Sequence, residues 1–158
     1  MDLVIAAVGK PKRRSPVGEA IADYERRAGL YFRLRVIEVP EASLRDEEAA
    51  RGREREGAAL LRAVPENLQL WALTRAGTPL TSRSLAERLE EMGTYGQAGV
   101  VILIGGAHGL SDQVLARAGL RLSLSSMTLT HEMARLVLVE QLYRAGTIIR
   151  GEPYHKGT

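Results

Sequence analysis

Cysteine is absent from the 158 residues, which excludes a disulfide scaffold and any zinc site built on thiolates. Aromatic residues are only 4%, with one Trp and one Phe, so a core has to be assembled from Leu, Val, Ile and Ala. No apolar run approaches the roughly 18 residues of a membrane span. The opening Met1-Asp2-Leu3-Val4-Ile5 lacks the basic start and cleavage site of a signal peptide. The three histidines, His108, His131 and His155, fall in different segments without a His-x-x-x-His pair, so no metal site is expected. No Gly-x-Ser-x-Gly elbow occurs, which argues against a serine hydrolase. Neither a Walker A loop nor a Gly-x-Gly-x-x-Gly fingerprint is present. Without that fingerprint, Glu38 at the end of the second strand reads as a surface acid rather than a ribose ligand. These absences lead to the expectation of one soluble, cytoplasmic domain over residues 1–158.

What is there is mildly basic, with a net charge of +3. The excess lies at the two ends. Lys10, Lys12, Arg13 and Arg14 form a basic loop with no acid among them, and Arg144, Arg150 and Lys156 face only Glu152 near the other end. Between them, residues 43–63 balance five Arg against five acids. This placement fits a polyanion partner; it also fits solvated loops.

Patterning gives five strands alternating with five helices. The strands are Asp2–Val8, Leu34–Val39, Asn67–Thr74, Gly99–Ile104 and Arg121–Ser125. Ser15-Pro16 opens the first helix, and Ser43 with Asp46 resembles a capping box for the second, which ends near Ala63. Arg75–Pro79 reads as a turn. Helices follow over Ser82–Met92, Ser111–Ala118 and His131–Ala145, with no periodicity from Gly146 onward. This alternation predicts an α/β fold, a mostly parallel sheet with helices on both faces. Gly99–Ile104 is apolar throughout, as a strand buried on both faces must be. The last helix is apolar nearly all round and must also be buried. In so small a chain, the sheet on one side and a second subunit on the other would cover it, and a homodimer is expected; a central helix of a monomer is the alternative reading.

Three segments could carry chemistry. Gly105-Gly106-Ala107-His108-Gly109 follows the strongest strand, where ligands of open α/β sheets bind. Leu124-Ser125-Ser126-Met127-Thr128-Leu129 joins the last strand to the last helix and should lie beside it. Two such loops can hold an adenine through backbone hydrogen bonds and apolar contact. Each is also readable as an ordinary connector. In the tail, Tyr154 could stack on a base and Lys156 could meet phosphate, unless the terminus is frayed.

Taken in order, Leu103-Ile104-Gly105-Gly106, Leu124–His131, Glu140-Gln141-Leu142-Tyr143-Arg144-Ala145 and Tyr154-His155-Lys156 resemble the RlmH family, the pseudouridine N3-methyltransferases of bacterial large-subunit (23S) rRNA. The resemblance covers essentially the whole chain. It implies a SPOUT-type homodimer with a C-terminal trefoil knot over about residues 99–150 and a substrate tail over 151–158, although general topology rules disfavour knots. It implies S-adenosylmethionine in a pocket of Leu73, Gly105, Leu124, Ser125, Ser126, Met127, Thr128 and Leu129, and a pseudouridine substrate on the assembled ribosome. One departure is visible: Thr130 stands where family members often carry Pro, at the turn into the last helix.

The chemistry so implied is direct methyl transfer, in which the base nitrogen must lose its proton. His155 is the candidate for that proton, Tyr154 for stacking on or orienting the base, and Arg144 for phosphate or for charge on the base oxygens. Lys10, Lys12, Arg13, Arg14 and Lys156 are candidate RNA contacts. A non-enzymatic RNA-binding or ribosome-associated protein would use the same basic ends and would bind no cofactor.

Overall fold

The computed structural model describes residues 1–12, 14–42 and 48–155, the last without its side chain. The apolar segments of the sequence form strands β1 (Asp2–Val8), β2 (Arg33–Val39), β3 (Gln69–Pro79), β4 (Gly99–Ile104) and β5 (Leu120–Ser123). Between and after them lie helices α1 (Pro16–Ala28), α2 (Ala49–Ala63), α3 (Ser82–Thr94), α4 (Asp112–Arg117) and α5 (His131–Ile149). The strands pair in the order β2-β1-β4-β3-β5, and every pairing is parallel.

Alternation along the strands builds two cores. Leu3, Ile5 and Ala7 of β1 with Val100, Ile102 and Ile104 of β4 face α1, α3 and α5. Val4, Ala6 and Val8 with Val101 and Leu103 face α2 and α4. β1 and β4 are thus covered on both sides, which is why their interiors carry no polar residue to mark a solvent face. Helices do lie on both faces, as the alternation of elements predicts.

Short polar side chains start four of the helices. Ser15, Thr81, Ser111 and Thr130 each accept a hydrogen bond from the backbone N–H three residues on. Thr130, the departure from the family pattern, is therefore the N-cap of α5, with Met133 N donating to its Oγ1 at 3.2 Å. Ser43 and Asp46, expected to cap α2, lie outside the described residues.

Two expectations need correction. Arg75–Pro79 is not a simple turn. Leu73 and Thr78 both pair with Leu122, so residues 74–77 loop out as a bulge and Thr78–Pro79 rejoin the strand. The last helix does not stop at Ala145 but runs to Ile149. Gly146, where periodicity fades, is fully inside it; a Cβ there would overlap the ring of Tyr31, so the residue marks a close approach of the segment after α1 to α5.

Helix α5 buries Leu138, Val139, Leu142 and Ala145 against the sheet, α1 and α3. Met133, Leu136 and Val137 belong to neither core and stay partly exposed. The end of the described chain turns back at Gly151, whose φ is 66°, and closes with a single 3-10 turn over Pro153–His155.

Candidate functional site

A cavity of about 330 Å³ opens at the carboxyl ends of β3, β4 and β5. It sits where an open parallel sheet offers loop backbone to a ligand, and its volume falls in the usual small-molecule range of about 300–1,000 Å³. Three loops line it: Leu73, Thr74 and Arg75 from the β3 bulge; Ile104 to Ala107 with Gly109 and Leu110 after β4; and Leu124, Ser125, Met127, Thr128 and Leu129 after β5. His131 and Ala134, from the first turn of α5, complete the wall.

The glycine loop has to be glycine. A Cβ on Gly105 would stand 2.5 Å from the carbonyl carbon of Gly109 and 2.8 Å from Leu110 N, because the loop folds back on itself. Gly109 N donates to Gly106 O at 3.0 Å to close that fold, and Gly109 has φ 77°, in the left-handed region. Beneath it, the buried carboxylate of Glu56 accepts from Ala42 N at 2.8 Å. The loop after β5 is equally defined. Ser123 Oγ lies 3.1 Å from the carbonyl oxygens of both Arg75 and Ser125, and Met127 N donates to Ser125 Oγ at 2.9 Å. Arg75 Nη1 donates to Thr128 Oγ1 at 2.8 Å across the mouth.

Of the expected cofactor residues, Leu73, Gly105, Leu124, Ser125, Met127, Thr128 and Leu129 line this cavity together; Ser126 does not. Arg75 and His131 were missed as site residues. The run Arg-Ala-Gly-Thr-Pro around Arg75 reads as a turn, and His131 reads as the first residue of the last helix.

The expected substrate residues assemble elsewhere. Arg144 Nη2 donates to Glu140 Oε1 at 2.6 Å, and the Tyr154 hydroxyl donates to the same oxygen at 3.1 Å. The ring of Tyr154 packs edge-on against Tyr143 at 4.6 Å, with the Arg144 guanidinium 4.9 Å from its centre. The Tyr24 hydroxyl lies 3.4 Å from that of Tyr154. Burial, together with the Tyr24 and Glu140 contacts, holds the Tyr154 phenol well above the ordinary phenol range. The hydrogen bond to Glu140 holds the Arg144 guanidinium up as well. Neither residue reaches the cavity of its own chain. Arg144 is ten residues beyond Ala134 on α5, about 15 Å along the axis. The His155 side chain lies outside what is described.

Lys10, Lys12 and Arg14 lie on a loop held against α1, and all three are exposed. Ser15 N and Oγ both donate to Lys12 O, at 2.9 and 2.8 Å, and a Cβ on Gly18 would collide with that carbonyl. Arg13 and Lys156 lie outside the described residues. Beside the loop is a second cavity of about 510 Å³, with Arg135 at its base. Arg135 is almost fully buried and bonds Glu25 at 2.8 Å and Glu38 at 2.8 Å. Glu38 is therefore a partner for a buried cation rather than a free surface acid.

Among the described residues, no group of three His, Cys, Asp or Glu side chains is placed to hold a metal ion, and no helix is long and apolar enough to cross a membrane.

Comparison with known proteins supplies the lineage. The family model described as "Predicted SPOUT methyltransferase" matches residues 1–155. The chain is 41% identical over 160 residues to "Ribosomal RNA large subunit methyltransferase H" of Listeria monocytogenes serotype 4a, covering 99% of this chain and all of that one. It is 47% identical over 157 residues to the protein of the same name from Anaeromyxobacter dehalogenans strain 2CP-C, again covering 99% and 100%. Among solved structures, TrmJ from Z. mobilis ZM4 superposes with a TM-score of 0.50 at 16% identity, over 92% of this chain and 70% of that one, a likeness of fold. The chain belongs to the SPOUT methyltransferases and, within them, to the ribosomal RNA large subunit methyltransferase H family that its four motifs resemble.

Proposed function

We propose that this protein uses S-adenosylmethionine to methylate N3 of a pseudouridine in the 23S rRNA of the assembled ribosome, in the cytoplasm. The observation that carries this reading is the cavity at the carboxyl edge of the sheet, found in a chain of this family. Its walls suit the cofactor. Leu73, Ile104, Leu110, Leu124 and Leu129 give a purine apolar surface, and the turns at Gly105 and Ser125 offer backbone groups to its edges. Among the described residues no lining side chain is acidic, so none repels a carboxylate tail. The names of the relatives support an rRNA substrate.

When bound, the cofactor supplies an already activated methyl group on a sulfonium. The work left to the protein is to align the base nitrogen and to accept its proton. The Tyr154 hydroxyl already gives its one proton to Glu140, so its ring is left to stack on and orient the base. Imidazole exchanges protons near neutral pH, which makes His155 the acceptor. Arg144, already aimed at Glu140, balances negative charge as it develops on the base.

The distance from Arg144 to its own cavity supports a homodimer in which the tail of one chain completes the cavity of the other. The partly exposed Met133, Leu136 and Val137 supply an apolar seam for such a partner. The last helix and its loop would then belong to the trefoil knot of SPOUT proteins, with the knotted loops forming the cavity.

Calorimetry and a transfer assay test the reading together. One molecule of S-adenosylmethionine should bind per chain, and a labelled methyl should appear on one pseudouridine of intact ribosomes. Saturable RNA binding without cofactor binding would instead identify a ribosome-associated protein that is not an enzyme.

A further inference from the structure

We propose that Arg75 binds the carboxylate of the cofactor's amino-acid tail, and thereby selects ligands that carry the tail. The inference rests on the cofactor reading above and deepens it. Among the described residues, Arg75 is the one permanently charged side chain in the cavity lining. It is delivered there by the β3 bulge, which lifts residues 74–77 out of pairing with β5. The bulge is anchored by Ser123 Oγ at the Arg75 carbonyl, 3.1 Å away. Thr128 then takes one guanidinium N–H at 2.8 Å, which aims the exposed fork across the mouth. No ion pair joins Arg75 to a carboxylate among the described residues. A planar guanidinium with donors to spare is suited to bidentate capture of a carboxylate.

The chemistry of the ligand matches this polarity. S-adenosylmethionine carries a single anionic group, at the end opposite its adenine. The apolar walls and glycine backbone suit the adenine; the anionic end needs a charged partner, and Arg75 supplies it. RNA phosphate is the other anion that could reach an arginine at a cavity mouth, so the test separates the two.

Calorimetry on the full chain compares S-adenosylhomocysteine, which has the tail, with 5′-methylthioadenosine, which lacks it. Arg75→Gln should weaken S-adenosylhomocysteine about tenfold or more and leave methylthioadenosine within about twofold. Arg75→Lys, which keeps the charge without the fork, should fall between. Thr128→Val should weaken S-adenosylhomocysteine less than Arg75→Gln does, since the cation remains. Equal losses for both ligands in Arg75→Gln would overturn the proposal, leaving Arg75 as a brace for the cavity lip. Unchanged affinity for both ligands with weakened ribosome binding would also overturn it, in favour of a phosphate contact. If the unsubstituted chain bound neither ligand, the cofactor reading itself would fail and take this proposal with it.

Discussion

The two ends of α5 are built from different materials. At the His131 end, the cavity consists of apolar side chains, loop backbone and one arginine. At the Ile149 end, Tyr24, Tyr31, Tyr143 and Tyr154 pack with Arg27, Arg144 and Arg150 around Glu140 and Glu152. On the proposed reading, the first region would recognise its ligand through apolar walls, loop backbone and the Arg75 side chain. The second would act through functional groups that a single truncation removes. The same helix joins them, yet its length keeps them apart within one chain. On the proposed reading, a second copy would bring the tail of one chain to the cavity of the other.

This contrast can be broken most strongly at Gly105. Gly105→Val adds atoms where even a Cβ has no room, so cofactor binding should fall about 100-fold or more by calorimetry while the tail cluster stays intact. Retained affinity would mean that the glycine loop does not shape the cavity. The opposite lesion is His155→Ala. Loss of an acid–base group should lower turnover on ribosomes about 100-fold and leave cofactor affinity unchanged. Co-expressing the two variants sharpens the comparison further. Mixed dimers hold one sound cavity and one sound tail on opposite chains, so activity should reappear. No recovery at any ratio would refute sharing between chains.

Smaller effects come from the surfaces around the two regions. Replacing Lys10, Lys12, Arg13 and Arg14 by Ala should weaken ribosome binding and reduce its salt slope by about 0.7–0.9 for each RNA phosphate these cations neutralise. An unchanged slope would remove the loop from the RNA interface. Thr130→Ala should cost about 1 kcal/mol of stability, measured by denaturant unfolding, because α5 then starts without its cap. The mildest test is alkaline titration of Tyr31. Its hydrogen bond to Glu152, with burial second, pushes its phenol from 10.0 up to about 12. A raised value means that this hydrogen bond stabilises fully below the usual phenol range, and that its stabilisation disappears as pH rises through about 12. Glu152→Gln should return the phenolate absorbance step toward 10. A step that stays near 12 would assign the shift to burial instead.

Much of the architecture was legible because burial leaves a plain trace. Gly99–Ile104 is apolar at every position because it is covered on both faces, and it proved to be a central strand. The two cavity loops are legible because a chain that turns sharply at a strand end needs glycine and small polar residues. What was hidden depends on distant contacts. Arg75 reads as part of a turn because a bulge inside a strand uses the same residues as a turn; only the second pairing with Leu122 distinguishes them. Periodicity fades from Gly146 onward, and only the Tyr31 ring against it explains why a glycine stands inside the helix. Arg135 lies in an apolar helix with nothing nearby in sequence to reveal Glu25 and Glu38 as its partners. Nor does any local pattern show that Tyr154 and Arg144 would meet at Glu140, or that they would do so away from their own cavity.

The central claim is that cavity and tail together place one methyl group on ribosomal RNA. Mass spectrometry of large-subunit rRNA from cells lacking this gene tests it most directly. The account predicts that one pseudouridine loses a single N3 methyl and regains it when the unaltered gene is restored, but not when His155→Ala is supplied. A full complement of pseudouridine methylation in the deleted cells would contradict it.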